Sequence, residues 1–298
     1  MTIVSLWIPF TLVGAAGQVA RNAMQRGLTG PLGTLGATHI RFLFGLPFAG
    51  LFLAGILLAS GDRLTWPDSG FLPWLITGGG AQIVATALML AAMNERSFVV
   101  TTAYLKTEAI QAAIFGFVFL SDHLTFLKVA AILIATIGVV ITALRPGGTK
   151  GFGSLRPTVL GLLAASFFAL SAVGYRGAIL NVANVSFVTA ASFTLAMTLL
   201  LQTIAMSAWL AFYRPGVMTS IFRLWKPSMF AGFMGSFASL FWFLAFALTA
   251  AANVRTLALI EVLFAQFAAY YGMKQPISAR ELCGIALILL GVGLLIAG

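Results

Sequence analysis

The sequence predicts an all-α membrane protein with ten transmembrane helices in two inverted five-helix repeats. Three observations lead there. Of 298 residues, 60% are hydrophobic and 8% charged, with mean hydropathy +1.03, where a soluble domain carries roughly a quarter charged residues. No core of a chain this long hides that much apolar surface, so lipid takes the place of water. The apolar stretches recur at lengths near the ~20 residues a helix needs to cross a bilayer. Finally, residues 104–144 return 153 positions later as 257–297, with Glu261 answering Glu108, Ser278 answering Thr125 and Gly291 answering Gly138.

In chain order, the expected spans are 5–24, 34–59, 71–92, 97–120, 126–144, 158–179, 187–212, 228–249, 254–272 and 279–297. No basic segment precedes the first and no small-residue cleavage site follows it, so it reads as a retained helix. The breaks at 93–96 and 250–253 are short, but merging their flanks gives helices far too long for one span. Longer connections fall at 27–33, 61–67, 145–157 and 213–227, all punctuated by Gly or Pro. The third of these divides the chain into a first repeat, 1–147, a linker, 148–155, and a second repeat, 156–298. Fainter echoes pair Ala37-Thr38 with Ala191-Ser192, and Gln18, Arg21 and Asn22 with Ser171, Tyr175 and Arg176. Leu90 and Ala92 likewise align with Phe243 and Ala245. Five spans per half is an odd number, so the halves enter the membrane from opposite sides, a plan common among alternating-access transporters.

The net charge is +10, from 17 basic and 7 acidic residues. The cations are scattered among inter-helix turns and form no stripe. With no nucleic-acid-binding motif present, they read as topology and anionic-lipid contact, and nucleic acid is not an expected partner. One face collects Arg21, Arg26, Arg96, Arg145, Lys150, Arg156, Arg214, Arg223, Lys226, Lys274 and Arg280. The other collects Arg63, Lys128, Arg176 and Arg255. The positive-inside rule would place the richer face in the cytoplasm and both termini outside.

Candidates for chemistry start with Lys106 and Glu108, since an ion at the bilayer centre costs about 2.5–3.5 kcal/mol on insertion scales and is kept for function or for a partner. On a continuous helix Tyr104, Glu108 and Gln111 share one face and Lys106 points away. A structural alternative is a bridge from Glu108 or Glu261 to Arg41. Gln18 and Asn22, one turn apart, suit a substrate's polar groups or a helix contact. His39 opens the second helix and titrates near neutral pH when unperturbed, whereas His123, beside Asp122 in a turn, reads as solvated. Trp242 lies inside a span, apart from the interfacial tryptophans, and offers a face for stacking.

Gly78-Gly79-Gly80 is no phosphate loop, because no Lys-Ser/Thr follows it. There is no H-E-x-x-H and no G-x-S-x-G, and two histidines build no metal centre. Cys283, the single cysteine, forms no internal disulfide. An enzyme is not expected, nor are a metal or a cofactor.

Several short motifs together resemble the drug/metabolite transporter superfamily, and within it the ten-helix EamA-type exporters. His39-Ile40-Arg41-Phe42 is similar to the family's A-x-x-R-F-like opening of the second helix. Glu108 and Glu261 match the acid of its E-P-x-x-A motifs, with Ala109 and Val262 in place of proline. Ser121-Asp122-His123-Leu124-Thr125 matches its G-E-R-L-S-like turn, and Lys274-Gln275-Pro276-Ile277-Ser278 matches it loosely. The first-helix tryptophan of the family is replaced by Ala16 or Gly17.

The resemblance implies export of small metabolites, often amino acids, through a central cavity enclosed by both repeats of a chain able to act as a monomer. Aromatic amino acids and related amphipathic compounds are the specific expectation. It also implies a bacterial inner-membrane location with both termini in the cytoplasm, opposite to the charge count. The expected substrate-binding residues are Gln18, Asn22, His39, Tyr104, Lys106 and Trp242, with Glu108 and Glu261 as coupling-ion candidates that would carry protons. The alternatives are a membrane-embedded enzyme acting on a lipid-linked substrate, or a non-saturable channel.

Overall fold

A computed structural model describes residues 3–95, 104–143, 155–264 and 278–298, and every regular element among them is helical. These are α1 (Trp7–Leu43), α2 (Gly45–Ser60), α3 (Phe71–Glu95), α4 (Glu108–Leu120), α5 (Phe126–Ala143), α6 (Leu155–Leu180), α7 (Phe187–Tyr213), α8 (Pro215–Arg223), α9 (Trp225–Leu248), α10 (Ala251–Leu257) and α11 (Ala279–Ala297), with 3₁₀ turns at Ile3–Leu6 and Ala258–Ile260. Six stretches among the described residues are long and apolar enough to cross a membrane: Leu35–Ser60, Phe71–Met89, Thr158–Leu180, Phe187–Tyr213, Trp225–Leu248 and Ala279–Ala297. Glu108–Leu120 and Phe126–Thr142 are shorter apolar helices.

Three expectations need correction. The first connection shrinks from 27–33 to a break at Gly33, whose φ of 67° and ψ of 173° leave the helical region at a residue without a Cβ. The stretch 213–227 is not a plain loop but contains α8, whose buried Ile221 draws it onto the bundle. The fourth and ninth spans are not continuous helices, as described below.

Two compact units emerge, residues 1–80 with 174–249 and residues 81–173 with 250–298, each drawing on both halves of the sequence. In the first unit α1 packs along α9. A Cβ on Gly14 would stand 3.2 Å from the Trp242 ring, and one on Gly17 would stand 3.1 Å from the Ala238 side chain. A Cβ on Gly232 would stand 2.6 Å from Phe44, and the Ser236 hydroxyl donates to the Gly45 carbonyl at 2.6 Å. Gln202 donates to the Gly79 carbonyl (3.2 Å) and to the Tyr175 hydroxyl (3.1 Å), while the Tyr175 ring lies 4.7 Å from that of Phe243.

Asp62 ties the loop after α2 to the start of α7. Its carboxylate accepts from Thr189 Oγ1 (2.6 Å), Ser186 Oγ (2.7 Å) and Ser186 N (3.1 Å). These bonds, Thr189's foremost, hold its carboxyl down at about 2 against an ordinary 3.8. Ser186 is also the N-cap of α7, accepting from Thr189 N.

In the second unit α5 and α11 run antiparallel. A Cβ on Gly138 would meet Gly284 O at 2.7 Å and Ile288 N at 2.8 Å. One on Gly291 would meet Ala135 N at 2.6 Å and Ala131 O at 2.7 Å. Both helices open on a hydroxyl cap. Thr125 Oγ1 accepts from Lys128 N (3.2 Å), and Ser278 forms a full capping box with Glu281. Beside this pair, Ala109, Ala112 and Ala113 of α4 pack with Ile132, Ala169 and Ala252. Small side chains on four elements let the backbones approach closely, which is how helices associate in lipid.

The structure also revises the charge count. Arg176 is no loop cation: its guanidinium donates to the carbonyls of Phe246 (2.7 Å) and Thr249 (2.6 Å), closing the C-terminal end of α9. Arg255 is engaged with Glu108, and Arg21, assigned to the richer face, is buried in α1. Of the cations assigned from the sequence to the poorer face, Arg63 and Lys128 remain, while Arg156, Arg214, Arg223 and Lys226 of those assigned to the richer one are exposed.

Candidate functional site

The fourth span is interrupted where its charges lie. Residues 104–105 are helical, 106–107 form a turn closed by Thr107 N donating to Tyr104 O (3.1 Å), and α4 starts afresh at Glu108. No proline causes this. Thr107 instead turns its hydroxyl back to the Tyr104 carbonyl (2.7 Å) and accepts from Gln111 Nε2 (3.1 Å), so a short polar side chain supplies local bonds that compete with the helix. The ninth span behaves likewise. α10 gives way to the 3₁₀ turn Ala258–Ile260, and residues 261–264 are helical again. Each carboxylate thus follows directly on a break and opens the resumed segment, where the helix dipole favours a negative charge.

Two ion pairs join these breaks. Lys106 Nζ bonds Glu261 Oε1, and Arg255 Nε lies 2.9 Å from Glu108 Oε1. Each carboxylate therefore takes its cation from the other half of the sequence. Side-chain exposure is 15–18% across the four groups, so water screens the pairs only partly. The site holds two positive and two negative groups and is formally neutral.

Polar contacts to α6 complete the cluster. The Tyr104 hydroxyl is 2.9 Å from Thr158 Oγ1, the Tyr104 ring base lies where a Cβ on Gly161 would stand (2.9 Å), and Ser166 Oγ donates to Gln111 Oε1. The continuous-helix reading put Tyr104, Glu108 and Gln111 on one face. In the structure Tyr104 and Gln111 meet α6 while Glu108 meets Arg255 of α10. Arg41, the structural alternative's partner for a carboxylate, sets its guanidinium 4.8 Å from the Phe42 ring and its stem against Gly235.

The remaining candidates lie in the first unit. His39 is wholly enclosed, with Nε2 2.9 Å from Ser207 Oγ. Trp242 is buried against Gly14. Gln18 is half-buried on α1, and the side chain of Asn22 lies outside the described residues. Arg255, Thr158 and Ser166 were missed from the sequence. Only Arg255 carried a signal, as a cation six positions before Glu261 in an apolar run. Among the described residues no group of His, Cys, Asp and Glu is placed to hold a metal ion.

Residues 156–297 match the EamA-like transporter family. No curated protein matches the chain. Among 29 matching chains of solved structures, one crystal structure of a protein shares 17% identity at a TM-score of 0.68, covering 99% of this chain and 98% of its own. At that identity the likeness carries the fold alone. The match over residues 156–297 and the six long apolar stretches together support a multi-pass membrane protein.

Proposed function

We propose that this protein is a secondary transporter of the bacterial inner membrane that exports small metabolites by alternating access through a central cavity. Amino acids are the favoured substrates, with aromatic and related amphipathic ones foremost. The observation that carries this reading is the pair of exchanged ion pairs at two interrupted helices, Lys106 with Glu261 and Arg255 with Glu108. Discontinuous helices presenting charges at mid-span are how carriers hold polar cargo inside the bilayer.

A zwitterion fits the chemistry of this neutral site. Its carboxylate competes with Glu261 for Lys106, and its ammonium takes the freed carboxylate. Occupancy then exchanges ion pairs without leaving any charge unpartnered, whereas a lone charge would strand one at a cost of several kcal/mol. A proton on Glu108 or Glu261 would loosen the same pairs and is the coupling event in this scheme. No nucleotide-binding motif is present in the sequence, so a gradient drives the cycle.

Two further features support ten spans in inverted halves. The contact of Gly138 with Gly284 and Ile288 repeats, 153 positions on, as that of Gly291 with Ala131 and Ala135. An antiparallel pair related in this way has its local two-fold across the helix axes, the operation inverted repeats require. The bonds of Asp62 to Ser186, and the packing of Leu28 and Leu32 with Ile221, also join connections that ten spans would place on a common face.

The test is counterflow in proteoliposomes with a panel of aromatic and aliphatic amino acids. Saturable exchange is expected, reduced at least tenfold by Lys106→Ala. Flux without saturation would instead mark a channel. Absence of amino acid movement, with Lys106→Ala behaving as wild type in every other flux, would sink the specific version.

A further inference from the structure

We propose that α8 and its flanks form a binding surface for anionic phospholipid headgroups. At nine residues, α8 is about 13 Å long, too short to span a bilayer. Its inner face packs into the first unit: Ile221 is fully buried among Leu28, Leu32, Ile40, Leu210 and Ala231, with Val217, Met218 and Leu224 beside it.

The exposed residues of α8 and its flanks are unlike those of an ordinary solvated turn. Phe212 is 83% exposed, Tyr213 69%, Phe222 56% and Trp225 46%. Aromatic side chains at this density prefer the headgroup level of a bilayer, where their rings sit half in hydrocarbon. Between them stand the exposed cations Arg214, Arg223 and Lys226, with Lys226 Nζ 5.8 Å from the centre of the Trp225 ring.

Charge complementarity selects the occupant. No acidic residue occurs anywhere between Asp122 and Glu261, so nothing in the neighbouring sequence neutralises these three cations. A short helix anchored by its apolar side and flanked by exposed aromatics, Arg and Lys matches the phosphate plane of an anionic leaflet. A zwitterionic headgroup carries its own cation and gains less there. The surface is independent of what the protein transports.

The experiment is thermal unfolding of the full chain in mild detergent, titrated with phosphatidylglycerol, phosphatidylcholine or inorganic phosphate. Phosphatidylglycerol is expected to raise the Tm of the wild type well beyond either other probe. That shift should shrink once salt exceeds about 0.1 M, where the screening length falls to ~10 Å. Neutral substitutions R214Q, R223Q and K226Q should weaken apparent affinity roughly fivefold per charge removed, equivalent to about 1 kcal/mol each. The swaps R214K, R223K and K226R should retain it, as should R63Q with K128Q. An equal response to phosphatidylcholine or to free phosphate, a salt-independent shift, or an unchanged response in the neutral variants would overturn the proposal. The salt dependence is read on the wild type and decides the matter even if a variant fails to fold.

Discussion

Glu108 and Glu261 occupy equivalent places in the two halves of the chain, each opening a resumed helical segment and each held by a cation from the other half. The cations break that symmetry, since Lys106 precedes its own half's carboxylate by two positions and Arg255 by six. Breaking such a pair leaves a charge in low dielectric without a partner, and that is expensive. Lys106→Gln or Glu261→Gln alone should each destabilise the protein by about 3 kcal/mol. The double variant should recover a coupling energy on the order of 1–3 kcal/mol. A double-mutant cycle of thermal unfolding in detergent measures this, and strictly additive losses would contradict the pairing.

Asp62 yields a pH dependence with a fixed sign. Its carboxyl titrates lower in the folded protein, at about 2, than its ordinary value of 3.8. The unfolded chain therefore binds the proton more readily, and Asp62's contribution is whole above 3.8 and lost as pH falls through about 2. Asp62→Asn should flatten the Tm profile across that window and lower Tm at neutral pH. A profile of unchanged slope would show that the carboxylate is not held by Ser186 and Thr189.

Much of this was legible because lipid imposes strong patterning. The span 279–297 stands at the boundaries read from the sequence, and 71–92, 158–179, 187–212 and 228–249 differ by three residues or fewer at each end. The hydroxyls matched by repeat, Thr125 and Ser278, turn out to be helix caps, a role with a plain sequence signature. What escaped was tertiary. Nothing local says that Arg255 reaches Glu108, because that pairing depends on how α10 packs on α4. The break at Lys106–Thr107 was obscured since the usual breaker, proline, is absent, and a threonine bonding its own backbone is common inside continuous helices as well. Helix α8 was hidden by its Gly and Pro neighbours, although Val217, Ile221 and Leu224 already carry a helical period.

Orientation can be read from the revised charges. With Arg176 closing α9 and Arg255 paired to Glu108, the poorer face keeps only Arg63 and Lys128 in its turns. The imbalance therefore persists even after Arg21 is discounted as buried. On a ten-span topology the positive-inside rule then predicts that the 145–157 connection and α8 face the cytoplasm. After Cys283 is replaced, a cysteine at Thr65 should react with an impermeant thiol reagent in intact cells, while one at Gly148 should react only after lysis. The reverse pattern would invert the topology and leave the charge bias unexplained.

The α5–α11 contact makes the sharpest packing prediction, because its two halves are interchangeable. A methyl at Gly138 would stand 2.7 Å from the Gly284 carbonyl, and one at Gly291 would stand 2.6 Å from the Ala135 nitrogen. The neighbours are backbone atoms, which cannot rotate aside, so the helices must separate. Gly138→Ala and Gly291→Ala should each cost about 1–3 kcal/mol, the usual penalty of overpacking. Gly293→Ala, two residues along α11 with nothing within 4 Å, should cost nothing and gain from the better helix former. If the contact obeys the local two-fold, the losses at Gly138 and Gly291 will also be alike, and the double variant will be less than additive because the first methyl has already opened the crossing. Unequal losses with full additivity, read from denaturation midpoints in detergent, would mean that the two glycines act as independent sites and not as one symmetric contact.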